Sequence, residues 1–304
     1  MLKSFAAYAA VAAVAIIASV AMAQTEEQPV YLDDRSTPVQ LVLSYFNAID
    51  RGEYARAHGY FGPEDAPGYD SWQFHFDDVV KTEVSFGQMA QEGAAGSIYY
   101  QLPVTVDFEH AEGDHHVERG CINMRWINPA NQERPPFQPM YIISADLETA
   151  SEAPSFAPAK CDIAPNKDTG SPAYLDDRST PEQTIRSYFN ALQSGEYGRA
   201  VSYFAASSAP KDYAAWWQSQ ESMSRVNLRF GMPSHYSTAG YISYNVPVVV
   251  EAEYNGTSWV DVGCIGAYWE LPLDETPFKA MTIGPIDLKR QAAGEAYALP
   301  ACDD

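Results

Sequence analysis

Basic residues are scarce in this chain. Its 304 residues carry 19 Lys+Arg against 40 Asp+Glu, a net charge of −21. A surface of that sign repels phosphate backbones, which argues against nucleic acid as a partner. Cysteines are few as well. There are four, and no two form a Cys-x-x-Cys pair, so the sequence offers no dithiol redox motif. Beyond Ala23 no apolar run is long enough to span a bilayer. No spacing of His, Cys, Asp or Glu matches a specific metal or nucleophile signature, and no cofactor is expected.

What is present begins with a leader. Lys3 supplies a positive start, residues 5–23 are uncharged and rich in Ala and Val, and Ala21-Met22-Ala23 places small residues at −3 and −1. This pattern predicts a secretory signal peptide over 1–23, cleaved after Ala23. No cysteine follows the apolar run, so no lipoprotein anchor is expected. A periplasmic or secreted protein with no membrane contact after cleavage is the expectation.

A repeat organises the rest. The segment Tyr31-Leu-Asp-Asp-Arg-Ser-Thr-Pro38 recurs as Tyr174-Leu-Asp-Asp-Arg-Ser-Thr-Pro181, and residues 31–61 match 174–204 at 21 of 31 positions. The likeness continues through Tyr69 and Tyr213, Trp72 and Trp216, Tyr100 and Tyr244, and Trp126 and Trp269. The repeats are expected over 24–163 and 174–304, with the Pro-, Gly- and Ser-containing stretch 164–173 as linker.

The cysteines follow the repeat. Four cysteines allow three pairings. Each copy holds two at nearly equal separation, 161 − 121 = 40 and 302 − 264 = 38. The simplest pairing is therefore Cys121–Cys161 and Cys264–Cys302, permitted by export. Each would contribute roughly 4 kcal/mol in the chain-entropy picture.

Each copy opens on a capping box with a proline start, Thr37-Pro38-Val39-Gln40 and Thr180-Pro181-Glu182-Gln183. Val42, Tyr45, Phe46 and Ile49 then share one helix face, as do Ile185, Tyr188, Phe189 and Leu192. Gly52 and Gly195 end these helices. A short second helix and a third over 69–80 and 213–224 are expected next. From Ile98 and Ile242 the period changes to two. Strands are expected near 83–88, 98–108, 117–127 and 140–147, with hairpin turns at Gly113 and at Asn255-Gly256. Helices followed by an antiparallel sheet make each copy α+β.

This order, with the stretch Val42-Leu-Ser-Tyr-Phe-Asn-Ala-Ile-Asp-Arg-Gly-Glu-Tyr54 and its counterpart from Ile185 to Tyr197, resembles the nuclear transport factor two-like (SnoaL-like) superfamily. The whole looks like exported bacterial members of that superfamily with no assigned activity. The resemblance implies two tandem cone-shaped domains. Each would have about three N-terminal helices packed on a curved antiparallel sheet. In ketosteroid-isomerase-like members a first-helix Tyr donates to a developing oxyanion, and Tyr45 and Tyr188 hold the similar place. Such chemistry needs a carboxylate base in the same cavity. Asp107 and Glu109 point away from the face formed by residues 98–108, as do Glu251 and Glu253 in the second copy, so no base is expected there.

Three further features carry expectations. His110, Asp114, His115 and His116 cluster at the first hairpin, where His110 and His115 would be cross-strand neighbours and a weak candidate metal pair. Asp33-Asp34-Arg35 and Asp176-Asp177-Arg178 precede the capped helices and are read as braces near the positive helix end rather than as a ligand site. Val39 and Leu43 make one side of the first helix apolar where the second copy has Glu182 and Arg186. That side is expected to contact something beyond its own domain, and contact between the repeats is expected.

Together these features favour a non-catalytic binding module over an enzyme. It would hold a small apolar or aromatic ligand in each cone, with Tyr45, Tyr100, Trp126, Tyr188, Tyr244 and Trp269 as pocket candidates. The alternatives are a protein-interaction factor that binds another envelope protein, and a SnoaL-like lyase or isomerase.

Overall fold

The computed structural model describes residues 28–150, 161, 174–221, 223–238, 240–271, 277–291 and 298–302. The expected signal peptide and linker lie outside them. The first unit runs α1 (Pro38–Asp50), α2 (Tyr54–His58), α3 (Tyr69–Phe74), β1 (Val79–Phe86), β2 (Ala90–Ala94), β3 (Ser97–His110), β4 (His115–Ile127) and β5 (Tyr141–Thr149). The second repeats it as α4 (Pro181–Gln193), α5 (Tyr197–Ser202), α6 (Tyr213–Gln220), β6 (Met223–Phe230), β7 (Ser234–Thr238), β8 (Tyr241–Tyr254), β9 (Thr257–Glu270) and β10 (Thr282–Gln291). Each unit is α+β, helices first and then a five-stranded antiparallel sheet.

Local chemistry sets the ends of the first helix in each unit. Thr37 Oγ1 accepts from Gln40 N at 3.2 Å and Thr180 Oγ1 from Gln183 N at 3.1 Å, which closes the N-terminal turn behind the proline. Gly52 and Gly195 follow the C-caps at φ +66° and +71°, a conformation that suits glycine. The buried face of α1, including Leu41, Val42, Tyr45, Phe46 and Ile49, packs on Leu102, Val104, Val106 and Phe108 of β3. The second core repeats this with Ile185, Tyr188, Phe189 and Leu192 on Val246, Val248 and Val250.

The sheet follows the expected hairpins, with Gly113 at φ +84° and Asn255 and Gly256 at +49° and +76°. Two details differ from expectation. The third helices are shorter, ending at Phe74 and Gln220, and β1 begins at Val79. Asp77 and Asp78 would sit at the negative end of a longer helix, and Val79-Val80 favour a strand. A short edge strand, Ala90–Ala94, was not foreseen because Ala, Gln, Glu and Gly have little strand preference. It pairs with β3 across a turn at Ala95 and Gly96, both at positive φ.

Both expected disulfides are formed, Cys121–Cys161 and Cys264–Cys302, each tying the tail of its unit to a central strand. They fit an oxidising, extracytoplasmic setting. Among the described residues no helix is long and apolar enough to cross a membrane.

The repeated Asp-Asp-Arg-Ser segments meet each other. Asp34 and Asp177 form an antiparallel bridge. Arg35 N donates to Asp176 O and Arg178 N to Asp33 O, both at 2.6 Å. Asp33 N donates to Ser179 Oγ and Asp176 N to Ser36 Oγ, both at 2.8 Å. Tyr31 packs edge-on against Trp269 at 4.4 Å, and Tyr174 against Trp126 at 5.3 Å. The contacts are reciprocal, as in an isologous dimer joined into one chain. These segments are braces, as expected, but they brace the other repeat as well as their own helix. Val39 packs instead on the first unit's own core.

Beneath the seam lie two fully buried arginines. Arg56 donates from Nε to Glu53 at 2.6 Å and from Nη2 to Asn47 at 2.9 Å, bonds the carbonyl of Leu32, and stacks 4.3 Å from the Tyr31 ring. Arg199 does the same with Glu196, Asn190, Leu175 and Tyr174. Burial works against their charge, yet the surrounding tyrosines and carboxylates hold both guanidinium pKa values above the ordinary range. An Arg56→Met substitution is expected to cost about 3 kcal/mol or more, because it strands buried acceptors. Urea denaturation monitored by fluorescence measures this, and Arg199→Met should do likewise in the second unit.

Asp34 is buried in the seam. Burial first, and then Asp177 and Asp176, push its pKa up to about 6 from 3.8, against hydrogen bonds from Ser36. The folded state therefore prefers the protonated form, and this contribution is present below the unfolded value and lost as pH rises through about 6. Asp34→Asn should stabilise the protein at pH 8 by about 1 kcal/mol once solvent screening is allowed for, roughly 2–4 °C by calorimetry. The gain should vanish at pH 4. An equal gain at both pH values would show that charge is not the cause.

Candidate functional site

Each unit has a cleft between its helices and the β4–β5 or β9–β10 half of its sheet. The first encloses about 440 Å³ and is walled by Tyr45, Phe46, Phe61, Trp72 and Phe76. The second encloses about 750 Å³, with Tyr188, Phe189, Phe204, Trp216 and Trp259 in its wall. α1 and α4 supply the tyrosines, and the short third helices supply Trp72 and Trp216.

The six pocket candidates divide. Tyr45 and Tyr188 line the clefts. Tyr100 lies in the first core and Tyr244 packs against the second, and neither lines a cleft. Trp126 and Trp269 do not line the clefts either. They meet Tyr174 and Tyr31 at the seam. The strand period placed these four side chains on the inner face but said nothing about their position along the strand, and the clefts open at the other end of the sheet.

The metal pair does not form. His115 is paired with Glu109 in the strand register and approaches Asp107 at 3.1 Å. His110 lies on the other side of the hairpin, with His116 at 2.5 Å and Asp78 at 3.0 Å. The turn moves the register by one residue from that assumed, which flips the partner to the opposite face. Among the described residues no group of three or more His, Cys, Asp or Glu side chains could hold a metal ion.

A carboxylate shares the first cleft with Tyr45, contrary to expectation. It is Glu118 on β4, opposite Val106 and 7% exposed. Asp261, opposite Val250, holds the same place in the second cleft. In the observed register His116, Glu118, Gly120, Ile122 and Met124 share the inner face of β4. Alternation back from Ile122 and Met124 along β4 itself points Glu118 inward, whereas pairing His110 with His115 turns it outward.

The two acids have different partners. Arg290 on β10 grips Asp261 with two hydrogen bonds, 2.7 Å and 3.0 Å, and stacks 3.9 Å from the Trp259 ring. Thr149 occupies the matching place opposite Glu118, so the first cleft has no such cation. Glu118 Oε1 is instead approached by His75 Nε2 at 3.5 Å and by His116 Nε2 at 3.6 Å. The Glu118 interaction raises the His75 pKa above 6.5, partly offset by burial. His75 holds the Glu118 pKa below its ordinary value against burial. Tyr45 accepts a hydrogen bond from Trp72 Nε1 at 3.2 Å, and burial raises its pKa, with Glu118 adding to the rise.

No protein family matches the chain, and no curated protein matches it. Among solved structures, an "Ntf2 like protein involved in plasmid conjugation" is similar over 85% of this chain and 100% of that one, at 10% identity and a TM-score of 0.23. A likeness so distant carries no argument. The class is defined by the chain's own topology: tandem α+β units, each of helices followed by a five-stranded antiparallel sheet.

The His75–Glu118 contact yields a direct test. Glu118→Gln should bring the His75 pKa down toward 6.5, read from its ring proton shifts by NMR. An unchanged titration would show that the two side chains do not meet in solution.

Proposed function

We propose that the protein is an exported, non-catalytic binding module that holds a small aromatic or apolar ligand in each cleft. The observation that carries this reading is the recurrence of an aromatic-walled cleft at the same place in both units, with one acidic residue at the same strand position. Aromatic walls interrupted by placed polar groups are typical of small-molecule sites. The Tyr45 hydroxyl and the Glu118 carboxylate share a cleft, but Glu118 is held in its ionised form below the ordinary range, whereas a base that works near neutral pH usually has a raised pKa. In the second cleft Arg290 occupies Asp261. Periplasmic or secreted location belongs to this proposal, supported by the leader sequence and the two disulfides.

Native mass spectrometry of the protein purified from its own host tests the reading. Extra mass that dissociates on denaturation is expected, and it should fall when Trp72→Ala and Trp216→Ala are combined in one chain. A bare mass, together with no change in tryptophan fluorescence across a panel of small aromatic compounds, would overturn it.

A further inference from the structure

The first cleft has a chemical character that the second lacks. Its carboxylates are Glu118, Asp65 and Asp146, and among the described residues no lysine or arginine lines it. Asp146 accepts from Asn123 and Ser144, both within 2.9 Å, so its charge is already solvated by the sheet. Glu118 is different. Its side chain is nine-tenths buried, and the two histidines that approach it stand at 3.5 Å and 3.6 Å, beyond good hydrogen-bond length. A buried carboxylate partnered only by imidazoles, with no lysine or arginine beside it, has no permanent counter-charge once those rings are neutral.

The walls suit the same ligand. Tyr45, Phe61 and Trp72 form a set of mutually tilted rings, with centroids 5.8 to 6.4 Å apart. Ring faces attract cations, most strongly when the site is part-desolvated. In the second cleft this demand is met from within, since Arg290 occupies both the acid and the Trp259 face. The protein's own guanidinium there shows what the first cleft leaves for a ligand.

We infer that the first cleft selects a small organic cation, an amine or quaternary ammonium bearing an apolar group, with its charge at Glu118 and its apolar part on Tyr45, Phe61 and Trp72. The inference rests on the reading of the clefts as ligand sites. The charge pattern also gives a pH direction. The groups facing Glu118 are His75, His116 and Tyr45, with Asp65 and Asp146 in the wall and His110 and Asp78 behind His116. While His75 is protonated it neutralises Glu118. As pH rises through the His75 titration, Glu118 is left uncompensated, and cation affinity increases.

The test is fluorescence titration of the full mature chain with benzyltrimethylammonium, benzyl alcohol and phenylacetate, three probes of similar shape and different charge. The cation is expected to bind about tenfold more tightly than the alcohol, with the anion weakest, and more tightly at pH 8 than at pH 6. Glu118→Gln should remove that preference and the pH dependence, so that the cation binds no more tightly than the alcohol at either pH. Equal binding of cation and alcohol, or a preference that survives Glu118→Gln, overturns the inference but leaves the clefts as binding sites. No binding of any probe overturns both.

Discussion

The buried arginine of each unit is the constraint on which the rest depends. Arg56 and Arg199 lie under the first turns of the chain, where each joins the second helix to the first helix and to the extended segment before it. A guanidinium in the interior must have its donors met, and in both units the same arrangement of Glu, Asn and a backbone carbonyl does so. That arrangement fixes the path of Tyr31 to Ser36 and of Tyr174 to Ser179. The two segments then have matching edges and meet as an antiparallel bridge. Asp33 and Asp176 complete the layer, accepting from Tyr60 at 2.9 Å and Tyr203 at 2.7 Å. For Asp176, burial opposes ionisation, but Arg178 and Arg199 and the tyrosine hydrogen bond hold the pKa below its ordinary value.

The seam involves one end of each sheet, and the far ends differ between the copies. Near the seam the copies are almost identical in sequence, and the contacts of the two Asp-Asp-Arg-Ser segments are reciprocal. At the clefts they diverge, by a few residues with large chemical effect. Thr149 stands where the second unit has Arg290, and His116 where it has Trp259. These exchanges turn an acid locked in a fixed ion pair into one approached by titratable groups. One scaffold therefore carries two clefts with different charge patterns.

Much of this was legible from the residues. The repeat, the capping boxes, the alternating strands and the equal cysteine spacings each follow from local rules, and the structure shows the corresponding elements and disulfides. Lengths were less legible. Asp77-Asp78 and Val79-Val80 both work against a longer third helix, and the weak strand Ala90–Ala94 exists because its turn presents it to β3. The site was half legible. Tyr45 and Tyr188 follow from the helix face, and alternation along β4 itself points Glu118 inward, but the register expected at the Gly113 turn points it outward.

The sequence by itself determined what depends on neighbours along the chain: where helices start and stop, which strand face is apolar, and that two copies of one α+β unit exist. The tertiary structure decided what depends on register and on depth. A one-residue shift at the Gly113 turn sent His115 to one face and His110 to the other, so the histidine cluster became the neighbourhood of Glu118 rather than a metal pair. The distance of each aromatic from the seam placed Trp126 and Trp269 between the units and left Trp72 and Trp216 for the clefts. Periodicity gives the direction of a side chain, but only the packed sheet fixes how far along it that side chain stands.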